Sequence, residues 1–268
     1  MEILRLTKAG FNRVLGLAGH ELVRLGDSPT MDAALARLAA RGVAVGSVVD
    51  VGASDGRWFR RLQRWYPEAH AVLVDANPVH AQALHRLAAH NPRLHVAQVA
   101  AAAQTGSVFF DDSHAFIGVA AERRLAEHYR EVPAMSVDDL VARHALPAPY
   151  LLKLDTHGFE LPILAGARRT LEDASALVVE AYNFRALPHT PRFTEIIARL
   201  EGQGFRLVDA CDPHHRPRDG ALWQLDLVFQ RAGTVLETAD DPYWLYGMRR
   251  VPGWRRPGQP VLPRGEMS

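Results

Sequence analysis

The chain has 268 residues with 31 basic and 30 acidic side chains, which leaves a formal net charge of +1. A chain of this length buries enough apolar surface to fold without a disulfide or a structural metal, and its one cysteine, Cys211, excludes an intrachain disulfide. The balanced charge argues against a dedicated nucleic-acid-binding protein. Charged residues interrupt the apolar ones at the start of the chain, so neither a signal peptide nor a transmembrane segment is predicted. We therefore expect a cytoplasmic globular protein.

Strands and helices alternate along most of the chain. Short apolar runs without a polar alternation predict buried strands, and apolar residues at helical spacing predict the segments between them. The predicted strands of this part are residues 47–51, 71–74, 94–99, 150–154 and 176–179. The predicted helices are residues 31–40, 58–66, 78–88, 137–144, 160–171 and 193–200. The alternation implies right-handed crossovers and a mainly parallel sheet that is covered on both faces.

The middle and the end of the chain depart from this alternation. Residues 108–110 predict a short extended segment after a glycine turn, and residues 120–129 predict a helical piece. Residues 205–210 and 222–230 predict two strands, and the link between them is rich in Pro, His, Arg and Gly. Such a link cannot be a crossover helix, so the two strands should form an antiparallel hairpin at the sheet edge. We expect an α/β doubly wound, mainly parallel seven-stranded sheet with a terminal antiparallel hairpin.

Three parts of the chain are predicted from this pattern. Residues 1–46 form a helical leader, residues 47–237 form the ligand-binding domain, and residues 238–268 form a tail. The tail combines aromatic residues with arginines and regularly spaced prolines, which forbid a long helix. We expect an extended arm over the domain or over a second copy of the chain in a homo-oligomer, and the alternative is a solvated end. Its aromatic residues and the arginines beside them are Tyr243, Trp244, Tyr246, Arg249, Arg250, Trp254, Arg255 and Arg256.

A nucleotide-type site is predicted at the carboxyl ends of the first two strands, where open parallel sheets bind ligands. Gly52 and Gly56 let the backbone turn tightly and approach a ligand, and Asp75 stands where an acid accepts hydrogen bonds from ribose hydroxyls. Asp50 precedes the glycines, and its carboxylate would repel a dinucleotide pyrophosphate but favour the cationic S-adenosylmethionine (SAM). The alternative is that Asp50 is only a strand-end acid with its own partner. The predicted cofactor-binding residues are Asp50, Gly52, Ala53, Ser54, Asp55, Gly56, Asp75, Ala76 and Asn77.

Several runs, in one order along the chain, resemble the FkbM-type methyltransferase family. The runs are Val48 to Gly56, Val74 to Pro78, Leu152 to Glu160, Pro162 to Ala167, Val178 to Glu180 and Gln224 to Phe229. This resemblance covers roughly Ser47 to Gln230 and implies a class I methyltransferase fold. It also implies SAM-dependent O-methylation of a saccharide or secondary-metabolite hydroxyl. Many members of the family carry Glu or Gln where this chain has His157.

Candidate catalytic residues follow the fourth and fifth predicted strands of the alternating part. Methyl transfer is an in-line displacement, and a hydroxyl acceptor needs a base or a metal to take its proton. The ordinary pKa of a histidine side chain lies near neutrality, which suits His157 as a general base. Asp155 or Glu180 can orient its ring or bind the acceptor. The alternative for His157 is a loop histidine that packs over the adenine side of the cleft. Glu160 is predicted to be a helix-start acid.

Other functions stay open at this point. Asp155, Glu180 and a histidine or carbonyl group can hold a magnesium ion that activates the acceptor, although their spacing forms no compact ligand motif and no metal is assigned. A catalytically silent SAM-binding scaffold is a second alternative. A nicotinamide-dependent oxidoreductase is disfavoured by the carboxylate of Asp50 and by the terminal hairpin. Predicted contacts to a small-molecule or saccharide acceptor are Phe116, Tyr182, Asn183, Arg185 and Trp223.

Overall fold

The computed structural model describes residues 27–234 apart from 186, 188 and 189, together with residues 12–13, 15–17 and 23. Contacts divide the chain into two units, Met1–Arg231 and Ala232–Ser268. The predicted aromatic and arginine tail, which begins at residue 238, lies outside the described residues, as does most of the predicted leader before residue 27.

Eleven strands are present in the described residues. In chain order they are β1 (Ser47–Val51), β2 (His70–Val74), β3 (Leu94–Ala97), β4 (Ala100–Ala101), β5 (Gly106–Asp111), β6 (Val119–Ala121), β7 (Arg130–Met135), β8 (Tyr150–Leu154), β9 (Ala174–Tyr182), β10 (Phe205–His215) and β11 (Leu222–Arg231). The described helices are α1 (Met31–Ala40), α2 (Arg57–Leu62), α3 (Ala81–Ala88), α4 (Val137–Arg143), α5 (Glu160–Ala165), α6 (Arg168–Glu172) and α7 (Phe193–Glu201), with a 3₁₀ turn at Pro78–His80.

A seven-stranded sheet forms the centre of the fold, in the order β10-β11-β9-β8-β1-β2-β3. The five strands from β9 to β3 are mutually parallel, whereas β11 runs antiparallel to both β9 and β10. This arrangement confirms the predicted mainly parallel sheet with a terminal hairpin. The class I methyltransferase fold is therefore present.

Both faces of the sheet are covered, which explains why the central strands read as continuous apolar runs. On one face, α1, α2 and α3 bury residues such as Leu35, Phe59 and Leu84. On the other face, helices α4 to α7 bury residues such as Ile163 and Leu200. Every residue of β1 and of β8 is buried, so the site residues at the ends of these two strands are attached to a well-packed backbone. None of the described helices has the length and apolar character that a bilayer span requires.

A second sheet, in the order β4-β7-β5-β6, was not predicted from the sequence. The predicted helical piece at residues 120–129 is wrong, because β6 pairs there with β5 and the chain then turns until β7 begins. Residues 122–128 of the charged run after β6 are all exposed and only Tyr129 is buried, so a helix there would gain too little from packing. The segment at residues 108–110 is extended, as predicted, but belongs to this second sheet.

The predicted helix at residues 160–171 is broken into α5 and α6 at Gly166. A Cβ at Gly166 would lie 2.2 Å from the carbonyl oxygen of Ala102. The break thus lets the backbone come close to the segment that leads into the second sheet.

Candidate active site

The glycine turn joins β1 to α2 and is tightly packed against neighbouring segments. Gly52 has a φ of +76°, and a Cβ there would fall 1.9 Å from the carbonyl oxygen of Asp155. At Gly56, where φ is +77°, a Cβ would meet Leu87 Cδ2 at 2.7 Å. Gly52 is therefore required by the close approach of the Asp155 backbone, whereas Gly56 is favoured mainly by its positive φ, because the Leu87 side-chain end can move.

Asp75 stands at the carboxyl end of β2, and the backbone fixes its carboxylate. Its Oδ2 accepts a hydrogen bond from the Ser54 N–H at 2.7 Å, and its Oδ1 accepts one from the Asn77 N–H at 2.8 Å. Burial raises the pKa of Asp75, and the two hydrogen bonds oppose that shift. Asp75 lines the neighbouring cavity, and each of its oxygens can accept a further hydrogen bond, which suits a partner with two hydroxyl groups.

A cavity of about 270 Å³ lies beyond the strand ends, and most of the predicted site residues line it. The predicted residues in its wall are Gly52, Ala53, Ser54, Asp75, Ala76, Asn77, Phe116, Asp155, His157 and Glu180. Asp50, Asp55 and Gly56 stand outside this wall. Asp55 instead forms an ion pair with Arg57 at 2.8 Å. The fold thus brings six of the nine predicted cofactor residues and all three predicted catalytic residues into one cavity.

Asp50 faces a lysine that was not predicted to belong to the site. Its fully buried carboxylate lies 3.3 Å from Lys153 Nζ, which also donates a hydrogen bond to Asp155 Oδ2 at 3.0 Å. Burial raises the pKa of Asp50 in spite of this lysine, whereas the two carboxylates raise the pKa of Lys153 in spite of its burial. The charge of Asp50 is therefore matched within the protein. A lysine amid the apolar residues of β8 was the signal that could have revealed this pair.

Asp155, His157 and Glu180, hereafter the Asp–His–Glu cluster, converge at the ends of two adjacent strands. One side-chain ligand atom of each residue lies within 4.8 Å of the others. Leu154 is paired in register with Val179, so the residues that follow, Asp155 and Glu180, are neighbours. His157 Nε2 lies 3.8 Å from Glu180 Oε1. This strand register brings the three ligand atoms together, although the residues form no compact ligand motif in the sequence.

The cluster has one neutral imidazole between two carboxyl groups of different character. Burial lowers the pKa of His157 and outweighs the opposing effect of Asp155. Burial, reinforced by the Asp155 carboxylate, raises the pKa of Glu180 to about 9. For Asp155, burial is outweighed by the Lys153 ammonium, so its pKa is lowered. At neutral pH the cluster therefore holds a neutral histidine, an ionised aspartate and a protonated glutamate.

The backbone that carries His157 is held in an uncommon conformation. His157 has a φ of +57°, in the left-handed region that side chains rarely occupy, and Gly158 follows with a φ of +113°. Glu160, buried at the start of α5, accepts hydrogen bonds from the Gly158 N–H at 2.8 Å and from the Thr156 hydroxyl at 3.1 Å. Glu160 is thus the predicted helix-start acid, and it stabilises the turn that presents His157.

The predicted acceptor contacts are dispersed. Tyr182 donates a hydrogen bond to Glu180, and its ring meets the edge of Trp223 at 5.6 Å. Asn183 donates to the Leu222 carbonyl group at 3.1 Å, while Arg185 forms an ion pair with Glu195 at 2.8 Å. The side chains of Asn183 and Arg185 therefore make contacts within the protein. The cavity wall also contains Arg57, Trp58, His80 and Lys153, none of which was predicted.

Comparisons with known proteins point to one family. A family model described as the methyltransferase FkbM domain matches residues 50–207. No curated protein matches the chain by sequence. Among solved structures, methyltransferase FkbM from Methylobacillus flagellatus is 18% identical over 68% of this chain, with a TM-score of 0.44. The match spans only 43% of that protein.

Two further solved structures are methyltransferases of other kinds. The 1,6-didemethyltoxoflavin-N1-methyltransferase from Burkholderia thailandensis, with bound S-adenosylhomocysteine, is 15% identical over 77% of this chain and 80% of its own, with a TM-score of 0.42. Precorrin-6y C5,15-methyltransferase from Geobacter metallireducens is 11% identical over 75% of this chain and 87% of its own, with a TM-score of 0.41.

Proposed function

The chain belongs to the FkbM methyltransferase family, and on that premise we propose that it transfers the methyl group of SAM to a hydroxyl oxygen of a small-molecule acceptor, a saccharide or a secondary metabolite. The observation that carries the proposal is that His157 lies beside Asp155 and Glu180 in the same cavity as the backbone-held carboxylate of Asp75. A hydroxyl acceptor needs such a base, whereas an amine acceptor can react with its free electron pair.

The residues of the cavity fit a cofactor of this chemistry. SAM supplies an activated methyl group on a sulfonium and carries no phosphate. The Asp75 carboxylate, already oriented by Ser54 and Asn77, would accept hydrogen bonds from the two ribose hydroxyls. Asp155 lines the cavity, and the Lys153 ammonium lowers its pKa in spite of its burial, so it presents a carboxylate that favours a cationic cofactor.

His157 would take the acceptor proton as the methyl group moves. Its unprotonated ring nitrogen accepts the hydroxyl proton, and the imidazolium that forms is stabilised by the Asp155 carboxylate. Glu180, protonated and held by Tyr182, would orient the ring or the acceptor without adding a second negative charge. The left-handed backbone at His157, fixed by Glu160, keeps the imidazole at this place.

The proposal is tested by measuring S-adenosylhomocysteine formation with a panel of hydroxylated sugars and macrolactones, and by locating the added methyl group by mass spectrometry. His157→Ala should lower turnover by about 10²–10⁴-fold with an unchanged Kd for SAM. His144→Ala is the matched control, because His144 stacks on His95 outside the cavity wall. A methyl group found on nitrogen, or full turnover by His157→Ala, would contradict the assignment. SAM binding without turnover on any acceptor would favour the silent scaffold.

A metal-assisted form of the same reaction is the second candidate, because the Asp–His–Glu cluster offers three ligand atoms within 4.8 Å of one another. Carboxylate oxygens suit magnesium or manganese, and a bound ion would lower the pKa of an acceptor hydroxyl. Glu180 would have to release its proton first, so binding should tighten as the pH rises toward 9. Titration with Mn²⁺, followed by electron paramagnetic resonance in wild type and in Asp155→Asn, tests this candidate directly. Activity that survives a chelator, with no Mn²⁺ bound, would leave His157 as the base.

A further inference from the structure

A loop of the second sheet reaches over the cavity. Residues 112–118, hereafter the strap, connect β5 to β6 and lie outside the seven-stranded sheet. Three strap residues, Ala115, Phe116 and Gly118, line the cavity that also contains Asp75. The strap is therefore a wall contributed by the second sheet to a site whose other predicted residues lie at the ends of the main sheet.

Two buried side chains from the segment after Asp75 hold the strap in place. Asn77 Nδ2 donates to the His114 carbonyl oxygen at 3.4 Å, and His80 Nε2 donates to the Ala115 carbonyl oxygen at 2.7 Å. Asn77 is 4% and His80 is 6% exposed, so each needs a partner inside the protein. Because a carbonyl oxygen can only accept, Nε2 of His80 carries its hydrogen. Both side chains thus bind the backbone of the strap.

The same side chains are joined to the residues around Asp75. Ser54 donates its backbone N–H to Asp75, and its hydroxyl lies 3.4 Å from His80 Nε2. Asn77 donates its own N–H to the other oxygen of Asp75. The carboxylate proposed for the ribose and the hydrogen bonds that hold the strap therefore belong to one polar network, which places the strap on the nucleoside side of the cavity.

Phe116 is the apolar residue that the strap presents. Its side chain is 58% exposed although it lines the cavity, and its ring lies 5.7 Å from the His80 ring. The Arg57 guanidinium lies 5.9 Å from the same ring on the cavity wall. A large exposed aromatic ring at a cavity buries the most apolar surface when a flat apolar ligand covers it.

We propose that the strap forms the wall of the adenine subsite, that Phe116 stacks on the base of the cofactor, and that Asn77 and His80 are positioning residues for Phe116. The inference rests on the proposed cofactor. It moves Phe116 from the acceptor side, where the sequence suggested it, to the cofactor side.

Isothermal titration with S-adenosylhomocysteine and with 5′-methylthioadenosine, which lacks the amino-acid part, tests the strap. Phe116→Ala should raise the Kd of both ligands by the same factor, about 5- to 100-fold, as expected for loss of one base-stacking contact. Phe116→Trp should retain binding. Ile117→Ala is the matched control, because Ile117 is a half-exposed strap residue outside the cavity wall, and its Kd values should stay within about twofold of wild type.

His80 is tested through its dependence on Phe116. His80→Ala should also raise both Kd values, and the double variant with Phe116→Ala should be no weaker than Phe116→Ala alone, because His80 acts through the ring. His80→Gln, which keeps a donor, should recover part of the loss, and circular dichroism verifies the fold. Unchanged Kd values in Phe116→Ala, or a loss for S-adenosylhomocysteine only, would overturn the strap proposal while leaving the function intact. A wild type that binds neither ligand would instead overturn the proposed cofactor.

Discussion

Replacing Lys153 by Met removes one charge from the interior and leaves two carboxylates behind. Lys153 is 4% exposed and Asp50 is fully buried, with Lys153 Nζ 3.3 Å from Asp50 and 3.0 Å from Asp155. Neither carboxylate oxygen of Asp50 accepts a hydrogen bond from another described residue. The ammonium is thus the compensation that the described residues provide for Asp50.

The expected loss of stability follows from this burial. Removing one partner of a buried ion pair costs about 3–5 kcal/mol, because the remaining charge is unpaired. For a domain of this size about 2–4 °C of Tm corresponds to each kcal/mol, so Lys153→Met should lower the Tm by roughly 6–20 °C. Asp155 is partly exposed and can be solvated, so most of the cost should come from Asp50.

Urea unfolding of the variant, with an unchanged m-value, measures this loss. The double variant Lys153→Met with Asp50→Leu should recover most of the stability, since apolar side chains of similar size can replace a buried pair. Arg57→Met is the matched control, because the Arg57 side chain is 62% exposed and its ion pair with Asp55 should contribute less than about 1 kcal/mol. A Lys153→Met variant that loses no more stability than Arg57→Met, or a double variant as unstable as Lys153→Met alone, would refute the role of the ammonium as the partner of Asp50.

Three further predictions follow from the same geometry. Because burial lowers the pKa of His157, kcat should rise with pH below about 6.5 and reach its plateau by neutrality, and His157→Ala should lose this limb of the pH–rate profile. Glu180 has a folded pKa of about 9 against an ordinary 4.5, so its contribution to stability is lost as the pH rises between these values. The free energy of unfolding of Glu180→Gln, measured in urea relative to wild type, should therefore increase by about 3 kcal/mol from pH 5 to pH 7. A difference between the two proteins that stays constant with pH would refute this. Gly52→Ala should abolish activity and lower the Tm, because its Cβ would meet the carbonyl oxygen of Asp155 at 1.9 Å; a variant with wild-type activity would show that this contact can relax.

The main sheet could be predicted because its signals are local. Short apolar runs followed by a turn or an acid marked β1, β2 and β8, and Asn77 with Pro78 marked the start of a helical segment. The terminal hairpin was predicted because the link between β10 and β11 contains no helical pattern. In each case the local sequence and the final structure favour the same conformation.

The second sheet could not be predicted because its strands depend on distant partners. β4 and β6 contain two and three residues, too few for an alternation to be recognised, and β4 pairs with β7 more than thirty positions along the chain. The same limit applies to the site. Asp50 meets Lys153, and Asp155 meets Glu180, only through the register of parallel strands that are far apart in sequence. The position of the strap at the cavity was not predicted because the strap connects two strands of the second sheet.

A crystal structure with bound S-adenosylhomocysteine tests the central claim most directly. We expect both ribose hydroxyls to donate to Asp75, the adenine ring to lie against the strap, and the sulfur atom to face the Asp–His–Glu cluster with His157 on the acceptor side. A ligand bound away from Asp75, or with its sulfur directed away from His157, would contradict the proposed methyl transfer at this site.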